Sequence, residues 1–493
     1  MTLTSERGDV PVERHPELGD WGDLVKREAR AQILPGTPVL WRTDGWLDPR
    51  LVEYFNRSLE FVGLAETSKA TYAIEMRLWF EYLQTQGLSW DEASEDDLVG
   101  YQIWRLRSDE NPRPVSPATW RKSAAALHRF YGWAAEKGRE YVPANPVPTV
   151  AGGRAIASPK DARTSRDKWV TPGVYTMWRQ VGLEGYSAAV DERTGVVVAT
   201  TPSPSSRGRN RLRDVAFTDL MFGAALRRVE ISSLLHEEVP DSWVDEAILP
   251  GAIAKGGRPR AWGTWNPEAL GAVDRYVRFG RQGAIRRAQR ERRYDDLPDL
   301  LVAESIENDG RDGVVAVLAD GSRRRIDRLG PEERSVLFRR TGEGLEPMML
   351  WLTDAGLPMK ARSWNAVFDR ANDRVASAYA QLGRRGRPPR LTPHSLRFTC
   401  ALFVLLAYAR VIDQRLGVDP AERWDESRYD DAFSYVQDLL GHATVDVTRD
   451  IYLKPLRDLR RTSLFREHTD ETSVLDLLVA RSTLVFDPRE PAG

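Results

Sequence analysis

The sequence predicts a mainly α-helical protein with a small antiparallel β-sheet, an α+β chain in which a helical N-terminal domain precedes a larger one. Three observations carry this prediction. Apolar residues recur at helical spacing through residues 47–145 and most of 212–480. Two stretches, 247–265 and 314–326, instead read as hairpins around glycine-marked turns. Residues 144–167, ANPVPTVAGGRAIASPKDARTSRD, have the Pro, Gly, Ala and Ser content of a linker. The 493-residue length suits two or three domains of roughly 100–200 residues each.

Composition narrows the class. With 41% apolar and 29% charged residues, the chain is not disordered throughout. The longest apolar run, Cys400–Ala409, is ten residues, against about 20 for a membrane-spanning helix. No basic-then-apolar leader opens the chain. The expectation is a soluble intracellular protein with no membrane partner. A single cysteine, Cys400, excludes an internal disulfide and a cysteine-based zinc site. The net charge of −1 hides an uneven distribution: residues 251–400 carry +9, whereas 1–150 and 401–493 carry −5 each. Of the 71 basic residues, 62 are arginine, whose planar fork suits bidentate phosphate contact.

Taken in order, residues 1–45 are polar with scattered Pro and Gly and read as an arm with one short helix. Residues 46–148 read as a bundle of four or five helices. Tyr72, Met76, Trp79, Phe80 and Leu83 mark one helix over 68–84; Ser116-Pro117 cap another that carries Leu127, Phe130, Tyr131 and Trp133 and ends at Gly138. A linker follows at 149–167, then a larger unit over 168–465, within which 197–211 reads as a loose stretch. The 247–265 hairpin turns at Lys255-Gly256-Gly257 and the 314–326 hairpin at Asp320-Gly321. Residues 281–293, RQGAIRRAQRERR, are a basic run. Residues 466–493 form a tail whose Leu475, Leu477, Leu478 and Leu484 could pack in cis or against another protomer.

Four segments supply the parts of one chemistry. Arg227 and Glu230 lie in GAALRRVE, three apart, so that Glu230 can pair with Arg227 and hold it. Lys255 sits on the Gly-rich turn. Thr392-Pro393 opens a helix that places His394 and Arg397 on one face. Leu439-Leu440-Gly441-His442 precedes Tyr452 by ten residues, counted from His442. Transesterification of a phosphodiester needs a nucleophile, cations on the non-bridging oxygens, a proton acceptor and a proton donor. Tyr452 can be the nucleophile, Arg227 and Arg397 the cations, and Lys255 the donor to the leaving 5′ oxygen. His394 can take the tyrosine proton and His442 can hydrogen-bond the phosphate. The set calls for no metal and no cofactor. His236-Glu237 lacks the second histidine of a zinc motif and reads as surface.

The order Arg…Lys…His-x-x-Arg…Gly-His…Tyr resembles the tyrosine recombinases, or phage-type integrases. The matching text is ALRRVE, AKGGRPR, LWLTDAGLPMKARSWNAVF, TPHSLR and LLGHATVDVTRDIY, and the resemblance spans residues 47–465. It implies a helical core-binding domain followed by a catalytic domain. It implies that Tyr452 forms a 3′-phosphotyrosyl bond with DNA and that a 5′ hydroxyl then reverses it, without metal or ATP. It implies a homotetramer on two double-stranded DNA recombination sites, with an excisionase or a host DNA-bending factor as accessory partner, in the cytoplasm at the nucleoid.

The sequence departs from the family pattern in three places. Ala225 stands where glycine is usual, and Phe398 stands where histidine often follows the second arginine. The stretch between Lys255 and His394 is long, and its excess is assigned to 281–335 as a basic helix plus a hairpin. Arg228 competes with Arg227 for the first arginine position; the spacing to Glu230 favours Arg227. DNA contact is further expected from Ser68, Lys69, Thr71, Arg121 and Lys122, near helix starts, and from Arg286, Arg287 and Arg290. The leading reading is integration or excision of a mobile element. Its rivals are a resolvase-type recombinase and a DNA-binding relative without catalysis.

Overall fold

Two helices of the N-terminal part begin where serine supplies a cap. In the computed structural model, Ser94 accepts the backbone N–H of Asp97 at 3.3 Å and Ser116 that of Thr119 at 3.2 Å, each satisfying a first-turn donor. The structure describes residues 2–4, 37–41, 48–147, 169–192, 195–202, 208, 210–242, 245–308, 314–384, 388–417 and 430–441. The chain divides into two units, 1–165 and 166–493.

The described residues of the first unit form five helices: α1 (Pro49–Arg57), α2 (Leu59–Val62), α3 (Glu66–Thr85), α4 (Glu95–Arg107) and α5 (Pro117–Ala134). Their core is aromatic: Tyr54, Trp79, Tyr101, Trp120, Phe130 and Tyr131 are all buried. Trp79 donates to the Tyr131 hydroxyl at 2.8 Å, and that hydroxyl donates to the Trp90 carbonyl at 2.8 Å. One buried polar cluster fixes three helices together: Glu75 of α3 accepts from Arg105 of α4 at 3.1 Å and from Ser123 of α5 at 2.6 Å.

In the arm, β1 (Thr2–Thr4) pairs antiparallel with β2 (Val39–Trp41), and Leu40 is buried in the helical core; the rest of the arm, with its expected short helix, lies outside the described residues. One local expectation is corrected here. Helix α5 ends at Ala134, short of Gly138, because the chain folds back so that the Tyr141 N–H reaches the Ala134 carbonyl at 2.9 Å. Gly138 lies in that turn at φ +94°.

The second unit is built around α7 (Arg211–Ala224), which is buried on nearly all sides from Arg213 onward. It is preceded by α6 (Pro172–Trp178), which continues as a π-helical turn through Glu184, and by the hairpin β3 (Tyr186–Val190) and β4 (Val197–Pro202). The expected loose stretch is therefore a strand over its first half, as the β-branched run at Val196–Thr201 requires. Packed on α7 are α9 (Pro267–Arg275), α12 (Ser363–Gln381) and α13 (Pro393–Leu416), with Phe217 of α7 stacked on Trp364 of α12 at 3.4 Å between ring centroids. Short α8 (Arg228–Ser232) follows α7, and α14 (Asp430–Leu440) packs on α13. Buried Cys400 on α13 is inert: burial pushes its thiol up to about 12.

The hairpin expected at 247–265 is present, with β5 (Ala247–Leu249) paired to β6 (Arg260–Trp262) across a loop at 250–259. The second expected hairpin, β8 (Val314–Leu318) with β9 (Arg323–Arg325), is part of something larger. With β7 (Leu301–Asn308), β10 (Leu337–Thr341) and β11 (Gly344–Pro347) it forms a five-stranded sheet in the order β11-β10-β7-β8-β9. All its pairs are antiparallel except β7–β10. The expected basic helix and hairpin of 281–335 are thus both present, at 282–290 and 314–325, and the hairpin is two strands of a sheet that spans 301–347. Its buried face meets Leu235, Ile285, Met348 and Met349. Helix α10 (Gln282–Arg290) continues the α9 helix through a π-helical turn and belongs to the body of the unit.

Candidate active site

The centre of the site is a carboxylate. Chain reversal after α7 runs through Ala225 in the left-handed region, φ +51°, which lets Arg227 cap α8. Glu230, one turn into α8, reaches back to accept the Arg227 backbone N–H at 2.7 Å and its Nη1 at 2.9 Å. The i,i+3 pairing read from the sequence is present, and its carboxylate is only 1% exposed. Three further groups converge on it. Arg260 of β6 donates from Nη1 to Oε1 at 3.2 Å and from Nη2 to Oε2 at 2.6 Å. The Lys255 backbone N–H lies 3.3 Å from Oε1, and Arg397 Nη1 lies 3.7 Å from Oε2. Burial alone would raise the pKa of Glu230; the hydrogen bonds from Arg260 and the surrounding positive charge overcome that and lower it to about 2.

The two arginines expected to hold phosphate therefore stand beside one anion, on separate helices. Arg397 sits one turn into α13, where Thr392 caps the helix by accepting the Ser395 N–H at 3.1 Å. Its guanidinium donates to the Ala225 carbonyl and, at 2.5 Å, to the Leu440 carbonyl. Arg227 Nη2 donates to the Gly441 carbonyl at 3.2 Å. Both arginines thus hold the C-terminal end of α14, the residues immediately before His442. Arg228 points elsewhere, to Asn365 on α12, so Arg227 is the arginine that enters the cluster. Lys255 is exposed on its turn, followed by Gly256 and Gly257 at φ +90° and +72°. His394 is exposed one turn before Arg397. His442 and Tyr452 lie outside the described residues.

Sequence reasoning missed Arg260. It stands in the quoted stretch AKGGRPR, five residues after Lys255. A strand-edge arginine next to a Gly-rich turn carries no local sign that it will be buried against a glutamate from another element.

The expected DNA-contact residues divide by exposure. Arg121 and Lys122 are exposed in the first turns of α5, whereas Ser68, Lys69 and Thr71 are half-buried at the start of α3. On α10, Arg286 and Arg290 are exposed, while Arg287 donates to the Asp354 carbonyl at 3.0 Å. Arg281, the first residue of the basic run, is buried against Glu346 at 2.7 Å. His236 and Glu237 lie at the surface, with side chains 37% and 47% exposed, and Glu237 pairs with Arg339 at 3.1 Å. Among the described residues no cluster of three His, Cys, Asp or Glu could hold a metal, and no helix is long and apolar enough to cross a membrane.

Residues 52–138 match the family model described as phage integrase, N-terminal SAM-like domain. This match lies within the first unit, whereas the motifs that resemble tyrosine recombinases lie in the second. No curated protein matches the chain. Among solved structures, it is similar to a XerH site-specific recombinase bound to palindromic difH substrate, at 12% identity over 85% of this chain and 83% of that one, TM-score 0.43. It is similar to the Tn1549 transposon integrase with transposon right-end DNA, at 14% identity over 85% and 98%, TM-score 0.43. A lambda integrase dimer bound to a core site aligns at 11% identity over 84% and 76%, TM-score 0.41.

Proposed function

We propose that the protein is a tyrosine-type site-specific DNA recombinase that integrates or excises a phage or other mobile element. The observation that carries this reading is the convergence of Arg227, Arg397 and the Lys255 turn on buried Glu230, from segments up to 170 positions apart (227 to 397). Arginines held this way are pre-aimed cations, and pre-aimed charge is what stabilises a transferring phosphoryl group. The match of residues 52–138 to a phage-integrase N-terminal SAM-like domain supports the same reading.

In this mechanism the Tyr452 oxygen attacks the scissile phosphorus as His394 accepts the phenolic proton. Arg227, Arg397 and His442 hold the non-bridging oxygens. The bond to the 5′ oxygen breaks as Lys255 delivers a proton to it, leaving a 3′-phosphotyrosyl bond and a free 5′ hydroxyl. The 5′ hydroxyl of the partner strand then attacks the same phosphorus and releases the tyrosine. One phosphodiester is exchanged for another, so the step needs no ATP. Arg121, Lys122, Arg286 and Arg290 would contact flanking phosphates. A homotetramer would act on two duplexes, with an excisionase or a host DNA-bending factor setting direction, at the nucleoid.

The test is a nicked suicide substrate carrying the element's junction, incubated with the protein in chelator and resolved on a denaturing gel. Wild type forms a covalent adduct and Tyr452→Phe does not. An adduct that persists in Tyr452→Phe overturns the assignment of the nucleophile; tight binding without any adduct favours a DNA-binding relative that lacks catalysis.

A further inference from the structure

Arg260 lies at the base of the loop that carries Lys255, in strand β6 opposite Leu249. Its guanidinium is 12% exposed and meets both oxygens of Glu230 as a fork. Gly441 packs against it: a Cβ at position 441 would lie 3.3 Å from Arg260 Nη1 and 3.5 Å from Cδ and Cζ. Gly441 has φ +57°. Its carbonyl accepts from Arg227, and the Leu440 carbonyl before it accepts from Arg397. One side chain therefore touches the lysine hairpin through its own strand, the α8 carboxylate through its fork, and the end of α14 through packing.

Charge gives that contact a purpose. Glu230 is needed to aim Arg227, yet an uncompensated carboxylate there would repel the phosphate that Arg227 and Arg397 await. Arg227, Arg397 and Glu230 alone sum to +1; Arg260 makes the cluster +2. A phosphodiester carries one negative charge and gains a second as an anionic oxygen adds to it. The cluster with Arg260 matches the second state, which is the one catalysis must stabilise.

We propose that Arg260 is a positioning residue of the recombination site, neutralising Glu230 and fixing the Lys255 loop against Gly441 at the end of α14. The proposal rests on the recombinase reading above. Arg260 does not touch the substrate in this account; it acts through Glu230 and Gly441.

The test uses the full chain and the nicked suicide substrate, measuring DNA affinity and single-turnover adduct rate separately, with thermal unfolding alongside. Arg260→Ala lowers the adduct rate by about 30-fold, within the range for a group that orients a reacting one, while DNA affinity changes less than about threefold, the phosphate-contacting residues being intact. Ethylguanidinium restores part of the Arg260→Ala rate, whereas an equal concentration of sodium chloride does not. Arg260→Lys, which keeps the charge and loses the fork, gives an intermediate rate. The proposal is overturned if Arg260→Ala cleaves at the wild-type rate. It is also overturned if rate, affinity and unfolding temperature fall together and no guanidinium rescue occurs, since that is plain loss of structure. A wild-type protein that forms no adduct removes the recombinase reading itself, and the proposal with it; that failure is told apart by the wild-type lane alone.

Discussion

Glu230→Gln isolates the energy held in the arginine cluster, because the amide keeps the shape of the carboxylate and removes its charge. In the folded protein Glu230 titrates at about 2, against an ordinary 4.5. That difference is worth about 3 kcal/mol, at 1.36 kcal/mol per pKa unit. The sign follows from the direction. A carboxyl with a depressed folded-state pKa contributes its full stabilisation above 4.5 and loses it as pH falls towards 2. The variant should therefore unfold about 3 kcal/mol more easily than wild type at pH 7, in line with breaking a buried ion pair from one side. At pH 3 the unfolded state is largely protonated at this position while the folded state is not, and the gap should narrow by about 2 kcal/mol. Urea denaturation of both proteins at the two pH values measures this, and other carboxyls cancel in the difference. A gap below about 1 kcal/mol at pH 7, or one that does not change between pH 7 and pH 3, would refute the view that Glu230 is an ionised hub.

Two further outcomes follow from geometry. Gly441→Ala places a β-carbon against Arg260 at a left-handed position; it should cost about 1–2 kcal/mol in stability and slow adduct formation, read by the same denaturation and gel assays. Arg286→Ala and Arg290→Ala should leave stability unchanged, both side chains being exposed, and should each reduce the magnitude of the salt slope of DNA binding by about one, as loss of one phosphate contact does; an unchanged slope in both removes α10 from the DNA interface.

The first domain was the most legible part of the chain. Its helices follow from periodic aromatics and from the cap at Ser116, signals that act within a few residues and that tertiary packing has no reason to override. The hairpin turns at Gly256 and Gly321 were legible for the same reason: each needs positive φ, which glycine supplies. The inserted sheet was not. Strands β10 and β11 are LFRRT and GLEP, short and rich in charge, and the parallel β7–β10 pairing joins residues 36 positions apart (301 to 337). No local pattern announces a pairing of that kind, so the five strands read as one hairpin. The same limit applies to the site. Arg227 and Glu230 could be paired from their spacing, whereas Arg260 meets Glu230 only through the fold. Buried arginines mislead in a second way: Arg281 opens the basic run 281–293, yet it is buried against Glu346, just as Arg334 is buried against Glu238 and the Ser233 carbonyl.

The ends of the inserted sheet bear on how the protein behaves when crowded. A sheet of five strands has two open rims, and each open rim is a template for strand addition by another chain. Here one rim is Arg323-Arg324-Arg325, and the other is a four-residue strand that closes on Pro347. A strand from a neighbouring copy would bring its own arginine triplet against this one, or run into a residue with no N–H to offer. The arginine triplet and the proline thereby oppose edge-to-edge pairing, so that two copies brought close together would not zipper through this sheet.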